Sequence, residues 1–296
     1  MGESENKEAS PRVGEPGGPV PAAVGGSTFP VRARLPRRNT AVLLMVLVVT
    51  LTVLAALVGW RISARAEPPR TFRLTGLGHS SFLLETPGGA RLLLDPLSPS
   101  LGYPVSPVAA DLVLVSHGHF DHANVAQATG QPEVLQAVSG EPPRVQSLQR
   151  TFRDVTVRSV ASWHDALGGK ERGPNGIWVI EAAGVRIVHL GDLGHLLTKE
   201  QLEAIGAVDV LLIPVGGTFT IDEQQARKVI AQLAPRRYVI PMHFATPRLK
   251  MKLPLAPLAP FLRGWKSRVA QIEGPTLVFD SRPSGQGLEI IVLATP

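Results

Sequence analysis

A short histidine-rich stretch, SHGHFDH at residues 116–122, carries the strongest chemical signal in the chain. It holds three of the eight histidines and one aspartate, and it directly follows the apolar run DLVLV. His117 and His119 are close enough in sequence for their imidazoles to converge on one ion, while Asp121 and His122 can face a second ion. Because the chain contains no cysteine, a metal must be held by imidazole and carboxylate groups, which suit zinc, manganese or iron. The stretch therefore predicts a metal site rather than an ordinary polar loop.

Four more polar residues each end or follow a short apolar run. They are Asp95 in LLLDP, His164 in SWHD, Asp192 in HLGD and His243 in IPMH. Loops at the ends of strands commonly gather functional groups. We therefore expect these side chains to project from one rim of the sheets that carry them.

The elements that position these residues are mostly short strands. Eleven apolar runs between residues 71 and 294 have the length and turn-forming flanks of strands, from TFRLTGLG to LEIIVLA. Helices are predicted at 199–205, at 222–234 and near 258–265. Hairpins dominate early and strand–helix units follow, so the pattern predicts a layered α/β fold with mixed sheets.

Together these motifs resemble those of the metallo-β-lactamase superfamily. H-x-H-x-D-H, LLLDP, SWHD, HLGD and IPMH occur here in the order found in that family. The segments GLGHSSFLLET, PVGGTFTID and VIPMHFAT are similar to the branch that contains L-ascorbate 6-phosphate lactonase and many uncharacterised metal-dependent hydrolases. The resemblance covers residues 71–296 and implies a four-layer αββα sandwich with a binuclear metal site at one edge.

The resemblance also implies a role for each residue in these motifs. The first metal ion would be held by His117, His119 and His164. The second would be held by Asp121, His122 and His243. Asp192 would bridge the two ions, which are predicted to be Zn²⁺, with Mn²⁺ or iron as alternatives.

Asp121, Asp95 and His79 are predicted as catalytic residues. Asp95 is expected to orient a metal ligand, although a turn role before Pro96 is the alternative. His79, in GHSS, matches a residue of the lactonase-like branch, and a packed structural histidine is the alternative. His189 is expected to be buried structure, whereas His195 could either reach the site or face solvent.

Two bridged divalent ions would generate a hydroxide at neutral pH that attacks a carbonyl carbon or phosphorus. The predicted activity is hydrolysis of an ester, lactone, amide or phosphodiester in a small-molecule or lipid substrate. The alternatives are a lipid phosphodiesterase similar to N-acylphosphatidylethanolamine phospholipase D, a di-iron redox protein and a non-catalytic metal-binding module. The interval of 51 residues between Asp192 and His243 leaves no place for the domain that the RNA-processing branch inserts.

The N-terminal part has a different composition. Residues 1–39 are rich in Gly and Pro and lack apolar periodicity, which predicts a disordered tail. Residues 40–60 contain no charge and would span about 31 Å as a helix, which predicts a transmembrane signal anchor, with a linker at 61–70. The alternatives are a buried core helix and a cleaved signal, since SARAE offers a cleavage site.

The net charge of +6 is explained by arginines that flank the apolar segment, so no nucleic-acid partner is expected. The tighter cluster before the segment favours a single-pass membrane protein whose catalytic domain lies outside the cytoplasm. The oligomeric state and the substrate stay open at this point.

Overall fold

The computed structural model describes residues 38–63, 71–265, 268–282, 285 and 287–296. Helix α1, Arg38–Ser63, covers the predicted transmembrane segment and extends into the predicted linker. Within these described residues, no helix combines the length and the apolarity that a membrane crossing requires. Most of the predicted tail at 1–39 and of the linker at 61–70 lies outside the described residues.

A first sheet of six strands has the order β17-β1-β2-β3-β5-β7. Its strands are β1 Thr71–Gly78, β2 Ser81–Glu85, β3 Arg91–Leu94, β5 Leu112–Val115, β7 Glu133–Gln136 and β17 Thr276–Asp280. The strands from β17 to β3 pair antiparallel, and β3, β5 and β7 pair parallel. The sheet is therefore mixed, as predicted.

A second sheet of eight strands has the order β10-β11-β12-β13-β14-β15-β18-β16. Its strands are β10 Gln149–Phe152, β11 Val155–Trp163, β12 Pro174–Ala182, β13 Val185–His189, β14 Val210–Pro214, β15 Tyr238–Met242, β16 Val269–Ile272 and β18 Glu289–Leu293. The strands from β10 to β13 are antiparallel, and the remaining pairs are parallel. Two small ribbons complete the strands: β4 Val108–Ala109 with β6 Ala128–Thr129, and β8 Val138–Ser139 with β9 Arg144–Val145.

The main core lies between the two sheets, and alternation along the strands builds it. In β12, Trp178 and Ile180 point into this core, whereas Ile177 and Val179 point to the opposite face. Strand β14 is buried on both faces, which explains its unbroken apolar sequence VLLIP.

Three helices cover the outer face of the second sheet: α2 Lys199–Ile205, α3 Glu223–Leu233 and α4 Ala259–Leu262. The apolar residues of α3 at 226, 229, 230 and 233 recur at helical spacing and all face this layer. Asp222 caps α3 through the backbone N–H groups of Gln224 and Gln225. Local chemistry and burial therefore agree on where this helix begins.

The predicted fourth layer is not a helical layer. In the described part of the chain, the outer face of the first sheet is covered by irregular segments that include two short 3₁₀ turns, Pro99–Leu101 and Val125–Gln127. Buried Leu97, Leu101 and Tyr103 in these segments supply the apolar cover that a helix would otherwise provide. The α/β sandwich prediction holds, and the αββα layering is corrected to this extent.

Strand direction gathers the predicted site residues at one edge of each sheet. In the first sheet, β1, β3 and β5 run in the same direction. In the second sheet, β11, β13 and β15 do the same. The six carboxyl ends of these strands lead directly into the polar motifs.

Candidate metal centre

Several site residues occupy unusual backbone conformations directly after their strands. His79, Asp95 and His243 have φ values of 54°, 41° and 52°, in the left-handed region that residues other than glycine seldom adopt. Such a conformation costs about 1–3 kcal/mol and persists where the surrounding structure imposes it, often at functional sites. These three turns aim their side chains inward at the edge between the sheets.

The first group of candidate ligands consists of His117, His119 and His164. One nitrogen from each ring lies within 4.8 Å of the others, a spacing that can accommodate a metal ion. His117 Nε2 lies 3.1 Å from His119 Nδ1. His117 and His164 are buried, whereas His119 is exposed at the mouth of the site. The structure thus brings together all three residues predicted for the first ion.

The second group consists of Asp121, His122 and His243, joined by His79. These four residues also offer ligand atoms within 4.8 Å of one another. Asp121 Oδ2 lies 3.6 Å from His122 Nε2 and 3.2 Å from His79 Nε2. The residues predicted for the second ion are therefore also together.

Asp192 lies between the two groups. Its Oδ2 atom is 3.1 Å from His164 Nε2 and 3.2 Å from His243 Nε2. Its Oδ1 atom is 3.3 Å from His122 Nε2. One carboxylate thus contacts ligands of both groups, which is the position that a bridging residue requires.

Asp95 connects the two groups from behind. Its fully buried carboxylate accepts hydrogen bonds from Ser116 N at 2.7 Å and Ser116 Oγ at 2.6 Å, and it lies 2.9 Å from His122 Nδ1. Ser116 Oγ in turn lies 2.9 Å from His117 Nδ1. Since Ser116 donates its proton to Asp95, it can accept one from His117. The two rings therefore keep Nδ1 protonated and present Nε2 to the site.

His164 is oriented by the backbone. Its Nδ1 donates to the carbonyl of Phe219 at 3.0 Å, which leaves Nε2 facing Asp192. Phe219 belongs to a loop that follows the segment PVGG. Within that segment, a Cβ on Gly216 would clash with the carbonyl of His243, so the absence of a side chain allows this close approach.

The charges of the site are strongly coupled. Burial opposes ionisation of Asp192, but His122 and His243 overcome it and hold the pKa of Asp192 well below its usual value. Burial likewise disfavours a charged His122, yet the carboxylates of Asp192 and Asp95 raise its pKa well above the usual value. Burial and neighbouring His122 lower the pKa of His117, so this ring is in the neutral form that binds metal.

The remaining histidines separate into different roles. His79 is buried and lies against His243 with ring centroids 4.2 Å apart, and burial lowers its pKa to about 4. His189 donates from Nε2 to the carbonyl of Ser80 at 2.9 Å and accepts from the N–H of Gly191 at 3.1 Å, so it is structural, as expected.

His195 is half-buried and does not line the cavity, so it does not reach the site. Its Nε2 accepts from Trp163 N at 3.2 Å, and its Nδ1 donates to the carbonyl of Leu196 at 2.7 Å. Both nitrogens are therefore used by the backbone beside His164. Its role is to hold the end of β11 rather than to reach the site.

Sequence reasoning missed the walls of the site. A cavity of about 330 Å³ opens above the candidate ligands, and its walls are formed by Phe120, Arg172, Phe219 and Leu253. It also missed Asp165, which follows His164 and organises the loop that carries Arg172. The sequence feature that could have identified Asp165 is its position directly after the candidate ligand His164 in SWHD.

The donor set fits divalent metal ions. It combines imidazoles with carboxylates, and the imidazoles of His117, His122 and His164 are oriented through Nδ1. Two of the buried atoms that face each other, His122 Nε2 and Asp192 Oδ1, have no hydrogen-bond partner. Buried polar atoms normally have a hydrogen-bond partner, and a metal ion bound to both atoms would account for the lack of one here.

Residues 73–243 match the model of the beta-lactamase superfamily domain. The chain belongs to the beta-lactamase superfamily. A metal-dependent hydrolase from Carboxydothermus hydrogenoformans is 32% identical over 196 residues, which cover 59% of this chain and 85% of that protein. A second metal-dependent hydrolase, from Thermococcus onnurineus, is 32% identical over 189 residues, covering 57% of this chain and 83% of that protein.

A solved structure from Thermotoga maritima is described as a proposed zinc-dependent hydrolase of the metallo-beta-lactamase superfamily. It is 32% identical, has a TM-score of 0.58 and covers 75% of this chain and 98% of its own. The predicted superfamily is thereby confirmed, as is the prediction that the chain is an enzyme of the metal-dependent hydrolase class.

Proposed function

We propose that this superfamily member is a binuclear hydrolase acting on an ester, lactone, amide or phosphodiester bond. The observation that carries the proposal is the position of Asp192, whose two carboxylate oxygens contact histidines of both ligand groups. The first ion would be held by His117, His119 and His164, and the second by Asp121, His122 and His243. The histidine-rich donor set supports zinc, and manganese and iron share its ligand chemistry.

When bound, the ions would lower the pKa of a water molecule to about 7 and polarise the oxygen of the scissile group. The chain itself keeps the ligands in place. Asp95 fixes His122 directly and His117 through Ser116, while the carbonyl of Phe219 fixes His164. Hydrolysis is therefore supported by geometry that exists before substrate binds, which lowers the cost of reorganisation.

The walls of the cavity complete the proposed active site. Phe120 and Leu253 offer apolar surface beside the ligands, and Phe120 is half exposed at the entrance. Such surfaces exclude water around a bound substrate and strengthen electrostatic interactions within the site. His79 lies behind Asp121 at 3.2 Å and holds that carboxylate toward the cavity.

Replacing single ligands tests this proposal. We expect His119→Ala and Asp121→Ala to abolish hydrolysis and to lower the metal content, with circular dichroism spectra like that of the wild type. Glu133→Ala is the matched control, because Glu133 is a surface carboxylate paired with Arg150 at 2.9 Å. Wild-type turnover in either ligand variant would contradict the proposed mechanism. The assay should compare lactones, phosphodiesters and phospholipids, with metal content measured alongside.

We also propose that residues 40–60 attach the protein to a membrane, with the catalytic domain outside the cytoplasm. The absence of charge across these residues supports attachment, and the arginine cluster before them supports the orientation. The test is the distribution of the full-length chain after cell fractionation and a carbonate wash. Release of the chain into the soluble fraction would contradict attachment. Protection of the domain from external protease in intact cells would reverse the orientation.

A further inference from the structure

One basic side chain lies in the wall of the metal-site cavity, and contacts with the surrounding residues fix its position. Arg172 is half-buried and lines the cavity beside His164 and Asp192. Among the described residues that line this cavity, it is the one lysine or arginine. Arg248 and Lys250, which lie between the cavity residues His243 and Leu253 in sequence, are exposed and do not line it.

The loop that carries Arg172 is wound around the carboxylate of Asp165. This buried carboxylate accepts four backbone hydrogen bonds at 2.8 to 3.0 Å, from Leu167, Gly169, Glu171 and Arg172 itself. Because Asp165 directly follows His164, the loop is fastened next to a candidate metal ligand. The backbone of Arg172 therefore has a fixed position relative to the metal centre.

The side chain of Arg172 is guided by an aromatic ring. Its guanidinium lies over the ring of Phe219, 5.6 Å from the centroid, in a cation–π arrangement. The carbonyl of the same Phe219 accepts the hydrogen bond from His164. One residue thus positions both a candidate ligand and the arginine. The ionic contact of Arg172 is with exposed Glu171 at 3.3 Å, a surface pair that a substrate anion can replace.

The charge and the apolar surface of this cavity indicate which class of ligand it can bind. Two bound divalent ions would carry more positive charge than the carboxylates of Asp95, Asp121 and Asp192 carry negative charge, and Arg172 adds another positive charge. A guanidinium binds carboxylate or phosphate oxygens through paired hydrogen bonds. The same cavity is lined by Phe120 and Leu253, which provide apolar surface.

We propose that Arg172 is a substrate-binding residue that selects organic anions. The preferred substrate carries a carboxylate or phosphate group, held by Arg172, next to the bond that is hydrolysed, and its apolar part lies against Phe120 and Leu253. This inference rests on the proposed function for the bond cleaved, whereas the anion site itself rests on the cavity alone.

The test compares two esters of similar size with the full-length, metal-loaded protein: para-nitrophenyl hemisuccinate, which is anionic, and para-nitrophenyl butyrate, which is neutral. Charged hydrogen bonds of this kind contribute enough to change affinity by about tenfold to hundredfold. In Arg172→Gln we expect the preference in kcat/KM for the anionic ester to fall by at least about tenfold, mainly through KM. Arg172→Lys should restore part of it. Arg150→Gln, a change at a surface arginine paired with Glu133, should leave the preference unchanged.

A binding measurement separates this inference from the proposed hydrolysis. Phenylphosphonate, which is not an ester, is titrated calorimetrically into the wild type and into Arg172→Gln with equal metal content. Weaker binding by about tenfold or more in the variant supports the anion site even if neither ester is hydrolysed, a result that would count against the proposed reaction alone. Equal affinity in the two proteins, no binding to the wild type, or an unchanged ester preference in Arg172→Gln would overturn the role of Arg172.

Discussion

Replacing Asp95 by Asn tests how one buried carboxylate organises both halves of the metal centre. The side chain keeps its shape, and asparagine tolerates the left-handed backbone at φ 41°. The side-chain oxygen of Asn can still accept the hydrogen bond from Ser116 N, which lies 2.7 Å from Asp95 Oδ1 in the wild type. Its amide group, however, would meet Ser116 Oγ and His122 Nδ1, where the wild type accepts protons.

The consequence follows from proton positions. His122 would have to accept at Nδ1 and therefore carry its proton on Nε2, the atom that faces Asp192. The hydroxyl of Ser116 would then donate to Nδ1 of His117, so that ring too would carry its proton on Nε2, the nitrogen that faces the site. A single change to such a supporting residue costs about 10- to 100-fold in metal affinity or activity, and here both ligand groups are affected.

The fold should be weakened less than the site. Losing a hydrogen bond to a charged group costs about 1.5–3 kcal/mol, which lowers the Tm of a domain this size by roughly 3–12 °C. Metal affinity is measured by competition with a chromogenic chelator, and Tm is measured on metal-free protein. Asp111→Asn is the matched control, since Asp111 accepts from Arg91 N at 2.9 Å far from the site. Wild-type metal affinity in Asp95→Asn would refute the proposed proton relay.

Two further predictions concern the loops beside His164. A Cβ on Gly194 would clash with the backbone of His164 and Asp165, whereas a Cβ on Gly118 would meet nothing within 4 Å. Gly194→Ala should therefore weaken metal binding by about tenfold or more, whereas Gly118→Ala should not. Competition with a chelator measures both affinities, and equal metal affinity in the two variants would contradict this prediction. Burial opposes ionisation of Asp165, but its backbone donors lower its pKa from 3.8 to about 2. A carboxylate whose pKa is lower in the folded state stabilises the fold above the unfolded pKa and loses that effect as pH falls through the folded pKa. The difference in Tm between wild type and Asp165→Asn, measured on metal-free protein, should therefore shrink from pH 5 toward about 2, and a constant difference would contradict the role of Asp165.

Much of the fold could be predicted because pattern and burial agree. The eleven apolar runs all contain strands, and α2 has the predicted bounds, Lys199–Ile205. The two-residue strands β4, β6, β8 and β9 were missed, since two residues carry no periodic signal. Strand β7, EVLQ, was missed because it is mostly exposed and its sequence is partly polar.

The candidate ligands could be predicted because each belongs to a motif at the end of an apolar run. Their neighbours could not, since the partners lie far apart in sequence. The contact between His164 and the carbonyl of Phe219 spans 55 residues and involves backbone, which leaves no trace in residue type. Arg172 was missed for a related reason, because an isolated arginine in a polar loop has the sequence pattern of a solvated surface residue.

The central claim is that two metal ions lie on either side of the Asp192 carboxylate. Anomalous diffraction from crystals of the metal-loaded protein, recorded at the absorption edge of the bound metal, tests it directly. Two peaks are expected, one among His117, His119 and His164 and the other beside His122 and His243, with Asp192 between them. A single peak, or peaks away from Asp192, would contradict the binuclear account.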